Sequence, residues 1–143
     1  MADLTVEKVW ERKLQGPFKM GRYPLAASST IKRGAYVCAN SSGDATNGDS
    51  SVNGTVLGIA DESVATSNGD THITVILEGV FKLTVVDADD DDNVGDIVYL
   101  GADDNSYTVT SATGLEAVGR IEEFVTGTTN WVRLVGEPVR DPA

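Results

Sequence analysis

The sequence predicts a mainly β protein: one compact domain of the β-barrel or β-tulip type, with an internal duplication and an extended N-terminal arm. Three observations predict it. Gly34 and Gly58 lie 24 residues apart and recur, 61 positions later, as Gly95 and Gly119. Short runs rich in Val, Ile and Thr stand beside these glycines, as is typical of strands between turns. No helical periodicity longer than a few turns occurs after residue 30.

The two halves of the chain align with one another over three strand-like runs. Residues 33–37 (RGAYV) align with 94–98 (VGDIV), and 55–60 (TVLGIA) align with 116–121 (EAVGRI). The third pair, 73–79 and 131–136, is out of step by four residues because the second half has a shorter loop. A three-stranded unit alone buries too little apolar surface to be stable, so two copies of the unit are predicted to pack together as one domain. Chance recurrence of Gly beside Val and Ile is the alternative.

The N-terminal segment differs from the rest of the chain. Apolar residues between 4 and 14 suit a short amphipathic helix, which Pro17 would end. The stretch before Pro24 is predicted to be extended, because a residue preceding proline is disfavoured in the α region. The predicted organisation is an N-terminal arm at 1–27, a β-domain at 28–137 and a C-terminal tail at 138–143.

The elements of the β-domain follow in order from strand and turn signals. Polar and glycine-rich stretches mark loops, Asn-Gly and Asp-Asn pairs mark turns, and alternating or β-branched runs mark strands. This predicts a loop at 40–53, a turn at 66–70, strands at 71–77 and 81–85, a turn at 103–105 and a strand at 107–110.

Charge is distributed very unevenly along the chain. Residues 1–33 carry a net charge of +4, whereas residues 34–143 carry −15. A strongly acidic body repels nucleic acid and resists non-specific association. The basic leader either folds back on that body as a solvated first element or reaches an acidic surface elsewhere. No apolar run is long enough to span a membrane, and no signal peptide is evident, so we expect neither nucleic acid nor membrane as a partner.

Residues that could support chemistry are few. The aspartate-rich run Asp87–Asp92 offers carboxylates to a hard cation, but it lacks EF-hand spacing, so a solvated acidic loop is the simpler interpretation. His72 alternates with apolar residues in a strand and has no nucleophile motif near it. The single Cys38 sits in a strand-like run, as a buried thiol would. We therefore expect no catalytic residue, no metal site and no cofactor.

The order of the short motifs resembles a known family. The motifs are Gly-x-x-Val at 34–37, GTVLGIA at 54–60, VILEGVF at 75–81, VGDIVYL at 94–100, VGRIE at 118–122 and VRLVG at 132–136. Together they resemble the capsid decoration, or cement, proteins of tailed bacteriophages that are similar in fold to the lambda head-decoration protein. The resemblance covers about residues 31–136. Each motif is weak alone, and their order and spacing carry the similarity.

The resemblance implies a structural role without catalysis. Such proteins are mostly β and assemble as homotrimers at three-fold and quasi-three-fold positions outside an expanded icosahedral shell. There they stabilise the boundaries between major capsid subunits against the pressure of the packaged DNA. It implies a virion location on the capsid exterior, after synthesis in the cytoplasm of a bacterial host.

In several members of that family an N-terminal segment makes the main capsid contact. The leader of this chain matches that role in position, charge and aromatic content, although it shares no residue-level motif. Its basic and aromatic residues are therefore the candidates for binding the major capsid protein: Trp10, Arg12, Lys13, Phe18, Lys19, Arg22 and Tyr23.

Three alternatives remain open at the level of sequence. A displayed β-domain that binds glycans or a host surface would need exposed aromatic residues on the body. An enzyme of another type would need a pocket with converging polar groups. A major capsid protein would need a longer chain with long helices, neither of which is evident here.

Overall fold

The computed structural model describes residues 3–13, 19–48, 55–110 and 117–134, and in these ranges it is a mainly β protein with no α-helix. This confirms the predicted mainly β fold class, whereas the extended N-terminal arm stays a prediction. The twelve strands, in chain order, are β1 (Arg12–Lys13), β2 (Lys19–Pro24), β3 (Thr30–Ile31), β4 (Tyr36–Ala39), β5 (Ala45–Asn47), β6 (Thr55–Ala60), β7 (Val64–Ala65), β8 (His72–Thr84), β9 (Ile97–Leu100), β10 (Tyr107–Thr108), β11 (Ala117–Thr126) and β12 (Thr129–Leu134).

Ten of these strands form one antiparallel sheet, which curls strongly into a half barrel. The order is β10-β9-β11-β12-β8-β6-β4-β5, and β1 and β2 add to β8, while β3 and β7 form a separate pair. The order divides into two four-stranded units, β5-β4-β6-β8 and β10-β9-β11-β12, which meet where β8 pairs with β12. Each unit comes from one half of the chain.

The central strand β8 joins the two halves of the core. The sequence predicts two strands here, 71–77 and 81–85, but the chain forms one strand of 13 residues. Ile73, Val75 and Leu77 pack in the smaller of two apolar clusters. Phe81, Leu83 and Val85 pack in the larger one, which also contains Ile76. The side of β8 that faces the larger cluster changes along the strand, so that one long strand contributes side chains to both clusters.

The glycines that align between the two halves have matching geometry. Gly34 and Gly95 both adopt left-handed φ angles, of 94° and 92°. A Cβ on Gly58 would lie 1.9 Å from the carbonyl oxygen of Ile76, and one on Gly119 would lie 2.0 Å from that of Arg133. In both units a glycine allows one strand to approach the next closely. These matches support the internal duplication, which stays a prediction.

Two further local predictions are wrong, and tertiary contacts explain both. Residues 45–47 were predicted as loop but form β5 against β4, with Ala45 fully buried. The predicted helix at 4–14 is absent over the described residues 4–13. Backbone groups there bond to the body instead, because Lys8 N–H donates to Arg33 O and β1 pairs with β8. The remaining parts of the predicted loop and helix, 49–53 and residue 14, lie outside the described residues.

Candidate functional site

The N-terminal segment, residues 3–13 together with β2, lies along the surface of its own subunit. Lys8 N–H donates to the carbonyl of Arg33 at 2.8 Å. The indole N–H of Trp10 donates to the carbonyl of Gly34 at 2.8 Å, and the ring packs at the margin of the large core. Most side chains of the segment nevertheless face solvent, including Val6 and Val9, which are 69% and 72% exposed. The segment is docked but not buried.

The seven predicted binding residues fall into two groups. Trp10, Arg12 and Lys13 lie in or beside β1, and Lys19, Arg22 and Tyr23 lie in β2. Phe18 lies outside the described residues.

Both groups lie on strands that pair with β8. Val80 of β8 pairs with both β1 and β12, which therefore flank it on opposite edges. Ile76 likewise pairs with both β2 and β6.

Contacts within the subunit engage several of the described candidates. Trp10 holds the segment to the body, as above, and Tyr23 is half-buried against the small core. Lys13 is held in a network of ion pairs. The side chains of Arg12, Lys19 and Arg22 are exposed. These three cations are the part of the predicted site that faces outward for a partner.

The ion-pair network ties β1 to the hairpin of β11 and β12. Lys13 Nζ lies 3.0 Å from a carboxylate oxygen of Glu122 and 3.2 Å from one of Glu123, and Arg133 also pairs with Glu122. The hydrogen bond to Glu122 holds the pKa of Lys13 above its usual value. The same bond, aided by Arg133, holds the pKa of Glu122 below its usual value even though partial burial opposes this. Both shifts favour the charged forms of Lys13 and Glu122.

Trp131 connects this network to a second ion pair. Its ring lies under two ammonium groups, Lys13 Nζ at 5.0 Å and Lys82 Nζ at 5.3 Å from the ring centroid. Lys82 Nζ also lies 2.7 Å from a carboxylate oxygen of Glu11 in the segment. Cation–π contacts of this kind stabilise a partly desolvated cation. Trp131 therefore helps to dock the segment rather than offering a free aromatic face.

A basic groove, which the sequence reasoning missed, lies between the segment and the body. Its volume is roughly 580 Å³, part of it open to solvent. The apolar residues Ile59, Ile76 and Phe81 contribute to its lining. Three basic residues stand around it, Lys8, Arg12 and Arg33, and Asp61 is the one acid among its described lining residues. The basic residues at 8–13 and 32–33 were the signal for it in the sequence. Only the docking of residues 8–12 beside β6 brings the two clusters together.

A buried carboxylate fastens the start of the segment. Asp104 is fully buried, accepting a hydrogen bond from Leu4 N–H at 2.9 Å and one from the Asn47 amide at 2.6 Å. Its own N–H donates to the carboxylate of Asp3 at 3.1 Å. Burial raises the pKa of Asp104 to about 6, with the charges of Asp3 and Asp103 acting in the same direction against the two hydrogen bonds.

The raised pKa of Asp104 predicts an unusual pH dependence of stability. The folded state binds a proton at this group more tightly than the unfolded state, so stability falls as the pH rises through about 4 to 6 and the loss is complete above that window. We expect the contribution of Asp104 to make the protein about 1 kcal/mol more stable at pH 5 than at pH 7.5. Denaturant unfolding at both pH values measures it. Asp104→Asn should remove this difference in stability. An unchanged difference in that variant would show that Asp104 is not its source.

The aspartate-rich run contains two distinct parts. Asp87 is structural: its carboxylate accepts hydrogen bonds from the Thr108 and Thr110 hydroxyls and from Val109 N–H. Although burial raises its pKa, these bonds bring the pKa below its usual value. Asp90, Asp91 and Asp92 are exposed, with carboxylate oxygens within 4.8 Å of one another. Exposed acidic groups are common without an ion, so a solvated acidic loop remains the simpler interpretation.

The aromatic residues of the body serve mainly the core. Tyr36, Phe81, Tyr99 and Tyr107 are buried, and Phe124 and Trp131 are half-buried. An aromatic glycan platform is therefore not favoured by the body's described residues. Within the same ranges no helix is long and apolar enough to cross a membrane.

Comparison with protein families and curated proteins supplies an independent finding. Residues 19–133 match the family model described as phage cement protein. A search of curated proteins gives no match. The matched range extends from the start of β2 almost to the end of β12, and so includes nearly the whole sheet.

Proposed function

The chain belongs to the phage cement protein family, which is structural and associated with the phage capsid, and from this premise we propose that it binds the outside of the capsid shell and stabilises it. It bridges neighbouring major capsid subunits, works as a homotrimer and performs no catalysis. It is made in the cytoplasm of a bacterial host and acts in the virion. The observation that carries the proposal is the match over residues 19–133.

The N-terminal segment is the proposed capsid-binding surface. Arg12, Lys19 and Arg22 are exposed cations. The rest of the chain, from residue 34 onward, carries a net charge of −15. Trp10, Lys13 and Tyr23 support this surface through their contacts with the body, and Phe18 is included as a candidate from the sequence alone. A rigid, pre-docked segment loses little conformational entropy on binding, which favours affinity.

The acidic body and the trimeric state fit the same role. A strongly negative outer surface would keep virions from associating with one another. Three binding segments in one homotrimer act together, so weak individual contacts give firm attachment overall. A trimer that spans a subunit boundary would resist separation of the capsid subunits beneath it.

Sedimentation with expanded capsids that lack this protein tests the proposal. Wild-type protein should co-sediment saturably with such capsids. The double variant Lys19→Gln/Arg22→Gln should bind roughly tenfold more weakly, because two exposed charge contacts of modest strength are lost. Its fold should be unchanged, since both side chains are exposed on β2.

A charge-matched control separates a local contact from net charge. Thr84→Glu/Thr126→Glu changes the net charge by the same amount at exposed strand ends away from β2, which carries Lys19 and Arg22. This control should bind like wild type. Equal weakening of both double variants would show that long-range charge, not the segment, governs attachment.

A further inference from the structure

The basic groove and the acidic loop of this chain have complementary charge. Lys8, Arg12 and Arg33 surround the groove, and Asp61 supplies the one carboxylate among its described lining residues. Lys8 Nζ stacks on Trp10 at 4.0 Å from the ring centroid, which fixes its position beside the opening. Within the described part of the chain, neither Lys8 nor Arg33 forms an ion pair. The groove thus combines an apolar lining with cations that can pair with a carboxylate.

The acidic loop, residues 89–92, is held in a fixed shape. Asp90 accepts a hydrogen bond from Asp92 N–H at 3.0 Å, and its own N–H donates to the Asn93 side chain at 3.2 Å. All four aspartates are exposed, and over the described ranges none of them is paired with a basic side chain. A side-chain hydrogen bond with Asp90 raises the pKa of Asp91, and the negative charges of Asp90 and Asp92 act in the same direction. Pairing with cations would reduce the repulsion among the aspartates of this pre-formed loop.

The loop does not reach the groove of its own subunit. Gly95 N–H donates to Ile121 O at 2.8 Å, and Ile121 N–H returns a bond to Asp96 O at 3.0 Å. The Asn130 amide also donates to Ala88 O at 2.9 Å. These bonds fix the loop to β11 and β12, β12 lies on the opposite edge of β8 from β1, and no loop residue lines the groove. Any contact between the two must therefore join different copies.

We infer that the groove between residues 8–12 and β6 binds the acidic loop, residues 89–92, of a second copy of this chain. The contact is head-to-tail, because the two surfaces differ, and such contacts close into a ring when the rotation permits. The inference rests on the proposed homotrimer and names its interface: each copy gives its loop to one neighbour and receives a loop from the other.

Sedimentation equilibrium of the full chain, without capsids, tests the interface. Wild type should have three times the monomer mass of 15.1 kDa at low ionic strength. Association should weaken in about 1 M salt, where the Debye length is roughly 3 Å. Arg33→Glu and Asp91→Lys should each weaken association at least about tenfold, because each places like charges in contact. Combining the two reversals in one chain restores opposite charges across the contact and should recover most of the loss.

Thr30→Glu/Ser67→Glu is the matched control, since it changes the net charge by the same amount as Arg33→Glu at two exposed positions outside the groove lining and the acidic loop, and it should leave association unchanged. Circular dichroism confirms that each variant is folded. A strictly monomeric wild type, single reversals without effect, or a double variant no better than the singles would each overturn the inference. Capsid co-sedimentation is measured separately: a monomer that still binds capsids refutes this interface alone, whereas loss of capsid binding in wild type refutes the proposed function.

Discussion

Replacing Gly58 with alanine should lower the free energy of unfolding by about 3 kcal/mol and the melting temperature by roughly 10 °C. The added Cβ would lie 1.9 Å from the carbonyl oxygen of Ile76, a backbone atom that cannot turn aside. The strands β6 and β8 would have to separate where Ile59 and Ile76 pair. Both residues belong to the large core, so the separation also loosens its packing. Thermal and denaturant unfolding measure the effect.

Two further glycine variants calibrate this result. Gly119→Ala should be similarly destabilising, because its Cβ would lie 2.0 Å from the carbonyl oxygen of Arg133. Gly69→Ala meets no atom within 4 Å and carries only the strain of a positive φ, so it should cost about 1 kcal/mol. A Gly58→Ala variant as stable as Gly69→Ala would contradict the close approach of the two strands.

Replacing Gly34 with alanine should release the N-terminal segment from the body and cost about 3 kcal/mol of stability. Gly34 has a φ of 94°, and its Cβ would lie 2.0 Å from the carbonyl oxygen of Lys8. The hydrogen bonds from Lys8 N–H to Arg33 and from the Trp10 indole to Gly34 would be strained or broken. Trypsin should then cleave after residues 8, 12 and 13 much faster than in wild type.

Gly43→Ala isolates the backbone contribution to this effect. Gly43 has a similar φ of 83°, but its Cβ would meet nothing within 4 Å. It should lose about 1 kcal/mol and leave the rate of cleavage in the segment unchanged. If both variants are cleaved at the wild-type rate, then Gly34 does not hold the segment in place.

Much of the fold could be predicted because local signals and tertiary structure agree. The spacing of Gly34, Gly58, Gly95 and Gly119 reflects real backbone requirements, either a positive φ or a close strand contact. The β-branched runs beside them form β4, β6, β9 and β11. Strand identity could therefore be read from composition, turn residues and repeat spacing alone.

The errors arose where long-range pairing overrides local preference. Residues 45–47 look like a loop by composition, but Ala45 is buried and β5 pairs with β4. Residues 4–13 have a helical spacing of apolar side chains, yet backbone bonding to the body holds them extended or bent. Local propensity cannot report a partner that lies many residues away in the chain.

The candidate site could be predicted only in part. Charge and aromatic content located the segment, and Arg12, Lys19 and Arg22 are exposed. The anchoring of Trp10 on Gly34 and the pairing of Lys13 with Glu122 could not be seen, because each joins positions far apart in sequence. The basic groove was missed for the same reason. The sequence therefore located the basic surface, but not which of its side chains are committed within the subunit.

The central claim is that this protein binds the capsid exterior and strengthens the shell. The most direct measurement heats expanded, DNA-filled capsids with and without saturating protein and records the temperature at which the DNA is released. We expect bound protein to raise that temperature, and Lys19→Gln/Arg22→Gln to require a higher concentration for the same increase. Wild-type protein that is folded but neither co-sediments with capsids nor shifts the temperature of DNA release would contradict the claim.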